Sequence, residues 1–186
     1  MTPKITLCIF NGKIRIFEAI DDFNKCPTSK GVWCLYGYND NSWKCLQVAR
    51  SNDISTEIRS DIAYITALYP CQETPYTYIN QFGRKVDDFK VYPTIRAQVY
   101  SKIGKDYENG ELYFFIIEFL DEPLQREAEK FFAYSTQALY WRNGGSYKSE
   151  RVVNVTELLS SINPTPTMVD AFHKMNTYIE EQDESH

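Results

Sequence analysis

Histidine is scarce: only His173, in a late helical segment, and His186, at the last position, occur among 186 residues. A cysteine–histidine catalytic pair therefore has little to draw on. The five cysteines (Cys8, Cys26, Cys34, Cys45, Cys71) are odd in number and contain no C-x-x-C spacing. That pattern argues against a disulfide framework and against a zinc site. No apolar run approaches the roughly twenty residues that a membrane helix needs. Nor does a signal-like apolar stretch open the chain. The expectation is a cytoplasmic, reduced, soluble protein with no membrane partner. Also absent are a Walker loop, G-x-G-x-x-G, G-x-S-x-G and H-E-x-x-H, which removes the enzyme classes most easily read from sequence.

A basic excess is missing too. Twenty Lys and Arg face twenty-five Asp and Glu, a net charge of −5. A strong nonspecific nucleic-acid binder needs a positive footprint to neutralise phosphates, so only a local one remains open. The densest basic segment carries Arg84, Lys85, Lys90, Arg96, Lys102 and Lys105 against Asp87 and Asp88. It reads either as a solvated face or, with Arg84, Lys85, Arg96, Lys102 and Lys105 as contacts, as a nucleic-acid-binding surface.

What the chain does have is core material, with 43% hydrophobic and 15% aromatic residues. Asn11-Gly12 separates two β-rich runs, Ile5 to Phe10 and Lys13 to Glu18, as a hairpin would. Strands are expected from Val32 to Tyr36 and from Trp43 to Ala49, joined by a turn over 37–41. Ser51 to Tyr69 carries helical spacing in Ile54, Ile58, Ile62 and Ile65, with Ser51, Asp53 and Ser55 as candidate caps and Pro70 as the stop. Positions 71–110 read as an insertion with one or two strands, closed by an Asn109-Gly110 hairpin-type turn. Leu112 to Leu120 is nearly continuous in apolar residues, which suits a central strand covered on both faces. Asp121-Glu122-Pro123 opens a helix expected to reach Trp141, with Leu124, Ala128, Phe131, Phe132, Ser135 and Leu139 on one stripe and Asn143-Gly144-Gly145 as its end. Asn154 or Thr156 caps a short helix, and Val169 to Glu181 forms the last one.

Gly31-Val32-Trp33 and Gln47-Val48-Ala49, followed by Arg50-Ser51-Asn52-Asp53-Ile54, resemble the front half of a GIY-YIG nuclease domain. Trp33 and Gln47 then stand where the two triplet tyrosines would be, and Ala49 where the second glycine would be. Arg126 to Ala133 resembles the segment that carries the family's metal-binding glutamate, with Glu129 as the better aligned candidate and Glu127 as the alternative. Asn143 resembles the family asparagine. The resemblance covers roughly Lys30 to Asn143. It implies an α/β (α+β) fold: a small, mostly antiparallel sheet flanked by helices. Residues 1–30 would be an N-terminal hairpin extension, 31–145 the core, and 146–186 a C-terminal helical extension.

In that family one tyrosine from each triplet, an arginine on the first helix and the glutamate, holding a divalent metal, together cleave phosphodiesters. Such chemistry needs a metal or equivalent charge, an activated water and a cation beside the phosphate. Carried over, the candidate catalytic set is Trp33, Gln47, Arg50, Arg59 and Glu129, with Mg2+ at Glu129. Tryptophan has only an N–H donor and cannot serve as a base. Glu57 occupies the expected arginine position, and Arg59 lies about 200° around the helix from it. Tyr36 and Tyr38 are the nearest other tyrosines. The implied function is a nucleic-acid-associated domain with weakened or lost cleavage. The alternatives are an active metal-dependent endonuclease using Glu129, and a small cytoplasmic protein-interaction domain.

Overall fold

The computed structural model describes residues 1–67, 76–89, 95–119, 121–142 and 152–186. Among them the order is β1 (Lys4–Asn11), β2 (Ile16–Ile20), a single 3-10 turn (Phe23–Lys25), β3 (Gly31–Asn39), β4 (Ser42–Ser51) and α1 (Ile54–Ala67). Next come β5 (Tyr76–Ile79), β6 (Lys85–Phe89), α2 (Ile95–Asp106), β7 (Glu111–Glu118), α3 (Glu122–Thr136), α4 (Val155–Ser160) and α5 (Pro166–Ser185). Five strands form one sheet in the order β2-β1-β7-β3-β4. Neighbours in it are antiparallel except β1 with β7, which run parallel. The protein is thus a mixed α+β fold with a five-stranded, mostly antiparallel sheet flanked by helices.

The two-sided apolarity of β7 sets the layers. Leu112, Phe114 and Ile116 join a core with Trp33 and Leu35 of β3, Ile54, Ile58 and Ile65 of α1, and Val99, Tyr100 and Ile103 of α2. On the opposite face Tyr113, Phe115 and Ile117 join Val32 and Cys34, Ala128, Phe131 and Phe132 of α3, and Met168, Ala171 and Met175 of α5. The N-terminal hairpin extends this sheet through the β1–β7 pairing rather than standing apart from it.

Local chemistry explains most boundaries. Asp40 and Asn41 take φ values of 47° and 56° between the paired Asn39 and Ser42. Positive φ at both central residues is what a two-residue type I′ hairpin requires, and Asp and Asn tolerate it. The turn is therefore shorter than 37–41, and both strands run on to the Tyr38–Trp43 ring contact at 4.9 Å. The first hairpin is longer than expected. The Asn11 Oδ1 accepts from the N–H groups of Lys13 and Ile14, Arg15 takes φ 56°, and β2 begins only at Ile16. Asp53 caps α1, accepting from the Thr56 N–H at 3.0 Å and its hydroxyl at 2.8 Å. Pro70 lies outside the described residues. Asn154 and Thr165 cap α4 and α5.

Two further expectations need correction. The 71–110 insertion contains the β5–β6 hairpin but also a helix, α2, where β-type aromatics suggested strand. Tertiary packing overrides propensity there. Val99, Tyr100 and Ile103 line one helix face against α1, and Gly104 permits the approach, since a Cβ on it would sit 2.0 Å from the Ile65 carbonyl oxygen. Asn109-Gly110 therefore leads out of α2 into β7 and turns no hairpin. The second correction is α3, which ends at Thr136 with Gln137 in the left-handed region at φ 51°. Residues 138–141 then return along the edge of β4, where the Leu139 and Tyr140 N–H groups donate to Cys45 and Leu46 carbonyls at 3.0 and 2.8 Å. Leu139 is not on the helical stripe, Leu124 is exposed, and Gln125 is buried in its place. Asn143-Gly144-Gly145 lies outside the described residues.

A buried acid sits between α1 and α2. Asp61 is fully enclosed, and its Oδ1 accepts from Arg96 Nε at 2.8 Å. Burial pushes its carboxyl up to about 7 against the pull of the Arg96 guanidinium. An unfolded aspartate titrates near 3.9, so between about pH 4 and 7 the folded state holds more protons than the unfolded one. Asp61 accordingly favours folding below that window, and this contribution is lost as pH rises through it. The Asp61→Asn variant is expected to lose this slope and to gain on the order of 2–4 kcal/mol relative to wild type between pH 4 and 8. Urea unfolding of both proteins across that range checks it, and parallel stability curves would refute it.

Candidate functional site

A polar cleft of about 530 Å³ opens where β4, the start of α1 and α3 meet. It is lined by Arg50, Ser51, Asn52, Glu57, Gln125, Glu129 and Arg142, with Ala49 at its wall. The volume falls within the range of small-molecule sites, although those are usually more apolar. Each side chain is placed by a short piece of local structure. Arg50 lies at the end of β4, on the side-chain face of Val32 and Val48, and so meets α3. Glu129 and Gln125 are four residues apart on α3, hence neighbours on one helix face. The Gln125 Nε2 donates to the Phe119 carbonyl at 2.8 Å and ties the helix start to the end of β7. Its buried Oε1 has no hydrogen-bond partner among the described residues.

At the centre is an ion pair. Arg50 Nε lies 3.1 Å from one Glu129 oxygen, and Trp141 Nε1 donates to the other at 3.1 Å. Burial raises the Glu129 pKa, the Trp141 hydrogen bond and the Arg50 charge hold it down, and nearby Glu57 pushes it up again. Both carboxylate oxygens therefore face an N–H donor. A Mg2+ ion at Glu129 would have to compete with Arg50 and Trp141 for these oxygens. Among the described residues no cluster of three or more metal-ligating His, Cys, Asp or Glu side chains occurs.

The sequence-derived candidates divide between this cleft and other places. Arg50 and Glu129 meet in it. Trp33 does not: its side chain is fully enclosed in the core beneath α1 and α2, with its Nε1 unpaired among the described residues. Gln47 is buried too, and its Oε1 accepts from the Val48 N–H at 3.1 Å. Arg59 lies 4.2 Å above the Phe23 ring. Tyr36 is buried edge-on to Phe115, where burial raises its pKa well above the usual tyrosine value. Tyr38 packs against His186 at the far end of β3. Gly31 has a packing reason of its own, since a Cβ there would lie 2.3 Å from the Ile117 carbonyl oxygen.

Glu127 is partly buried and does not line the cleft. Several of the basic residues have local partners. Arg84 donates to the Gln137 carbonyl at 3.1 Å, and Arg96 is taken up by Asp61. Lys102 pairs with Asp106 at 3.0 Å, and Lys105 shares a rim with Glu108 and Glu111. Lys90 lies outside the described residues. Sequence reasoning missed Gln125 and Arg142. The i, i+4 spacing of Gln125 and Glu129 could have flagged the first, whereas the return of the chain after α3 brings in the second. Comparison with protein-family models, with curated proteins and with solved structures finds no match.

Proposed function

We propose that this chain is a GIY-YIG-like scaffold that associates with nucleic acid through the Arg50–Glu129 cleft and has weakened or lost phosphodiester cleavage. One observation carries the reading: the arginine after the second triplet-like segment and the glutamate of the later helix are ion-paired in one polar cleft. Two guanidinium side chains, Arg50 and Arg142, line that cleft and are suited to phosphate oxygens. The withdrawal of Trp33 and Gln47 into the core favours binding over cleavage.

Fluorescence anisotropy with labelled single- and double-stranded DNA and RNA at low salt tests it. Binding is expected, weakened about tenfold by Arg50→Gln and by Arg142→Gln, the scale of a lost charge-assisted hydrogen bond. Its salt slope should be shallow, since few phosphates are contacted. No binding to any of these polymers, or binding indifferent to both substitutions, would overturn the proposal and favour the protein-interaction reading.

A further inference from the structure

Three lysines that are far apart in sequence converge away from that cleft. Lys44 of β4, Lys85 of β6 and Lys102 of α2 line a recess of about 260 Å³ together with Leu46, Tyr107 and Asp106. Among the described residues Asp106 is the only carboxylate lining it, and it is already paired with Lys102 at 3.0 Å. The side chains lining the recess therefore carry a net charge of two positive units. Lys102 is not a waving surface side chain: only 17% of it is exposed, so its stem is held and its ammonium aimed. Lys44 has no carboxylate partner among the described residues. A recess lined mainly by one sign of charge raises the local concentration of counter-ions, here anions.

We propose that the Lys44–Lys85–Lys102 recess binds a phosphate group. Its volume lies just below the range of drug-sized sites, which suits a single phosphate group better than a large organic ligand. Leu46 and Tyr107 are buried and give the recess a wall of low polarity, where charge–charge attraction is less screened than in open water. The ammonium groups act as point charges rather than as planar forks, so any tetrahedral phosphate oxygen set satisfies them. The phosphate could belong to a nucleic-acid backbone or terminus, or to a small free phosphate. The proposal does not rest on the reading of the Arg50–Glu129 cleft, and each can fail without the other.

Calorimetric titration of the full-length protein with inorganic phosphate at low ionic strength tests it. Phosphate binding is expected, weakened about tenfold by Lys44→Gln and by Lys85→Gln. Both lysines are exposed, so unchanged melting temperatures should show that the fold is intact. Asp106→Asn is expected to tighten binding severalfold by freeing Lys102. Lys13→Gln, on the hairpin at the opposite edge of the sheet, should change nothing. A 5′-phosphorylated oligonucleotide that displaces phosphate marks the source as nucleic acid, whereas phosphate bound without competition marks it as a small ligand. Absence of phosphate binding, affinity indifferent to Lys44→Gln and Lys85→Gln, or no tightening in Asp106→Asn would overturn the proposal.

Discussion

Trp33→Ala is expected to destabilise the protein by about 3–5 kcal/mol, the range for removing an enclosed large aromatic from a core. The indole lies 5.4 Å from the Phe114 ring and 6.4 Å from that of Tyr100, and so joins β3, β7 and α2. Its Nε1 has no partner among the described residues, so Trp33→Phe should lose packing but no hydrogen bond and cost about 1–2 kcal/mol. Guanidinium unfolding of the three proteins checks both figures. A loss below about 1 kcal/mol for Trp33→Ala would show that the indole is not a core filler and would reopen a role for it in a site. Trp33→Tyr introduces the residue that the resembled triplet carries, yet places a hydroxyl in a sealed apolar pocket. It is expected to be destabilising and to create no cleavage.

Generic DNA and RNA are expected to remain uncut when incubated with the purified protein in Mg2+ or Mn2+. Losing a general base typically costs about 10²- to 10⁴-fold in rate. Losing an electrostatic stabiliser costs about 10²- to 10³-fold more. Here no tyrosine lines the cleft among the described residues, and Glu57 stands in it where the resemblance would place a cation. Glu129 is engaged at both oxygens by Arg50 and Trp141. Gel assays on several substrates decide the matter. Robust metal-dependent cleavage, abolished by Glu129→Gln, would contradict the prediction. It would also mean that Arg50 or Trp141 lets go of Glu129 during turnover.

Strands and helices whose pattern is local are legible in the sequence alone. Two-sided apolarity in β7 announces a central strand, and Asp53, Asn154 and Pro123 announce helix starts. The α2 helix is not legible, because Val99 and Tyr100 favour strand in isolation. Only the face of α1 and the small profile of Gly104 make helix the better packing. The end of α3 is hidden for a similar reason, since residues 138–141 are held by β4 carbonyls that no window around them contains. In the cleft, Arg50 and Glu129 are legible from the resemblance. Trp33 and Gln47 enter the candidate set by their places in the two triplet-like segments, and a place on a strand does not say whether a side chain ends in a cleft or in the core. In the basic segment three members have local partners, Asp61, Asp106 and the Gln137 carbonyl, that lie outside any short window of sequence or one turn away on the same helix.

The parallel pairing of β1 with β7 has a temporal side. Lys4 meets Glu111 across 107 positions of sequence. A ribosome adds about 5–20 residues per second, so β1 emerges several seconds or more before the strand it must bond. During that wait β1 has no partner along the edge that β7 will take, and two strands alone are marginally stable. Contacts this distant also slow the search once the whole chain is free. The young chain therefore passes through an interval in which an unpaired strand is open to holding factors, and to sticking to its neighbours, well before the sheet can close.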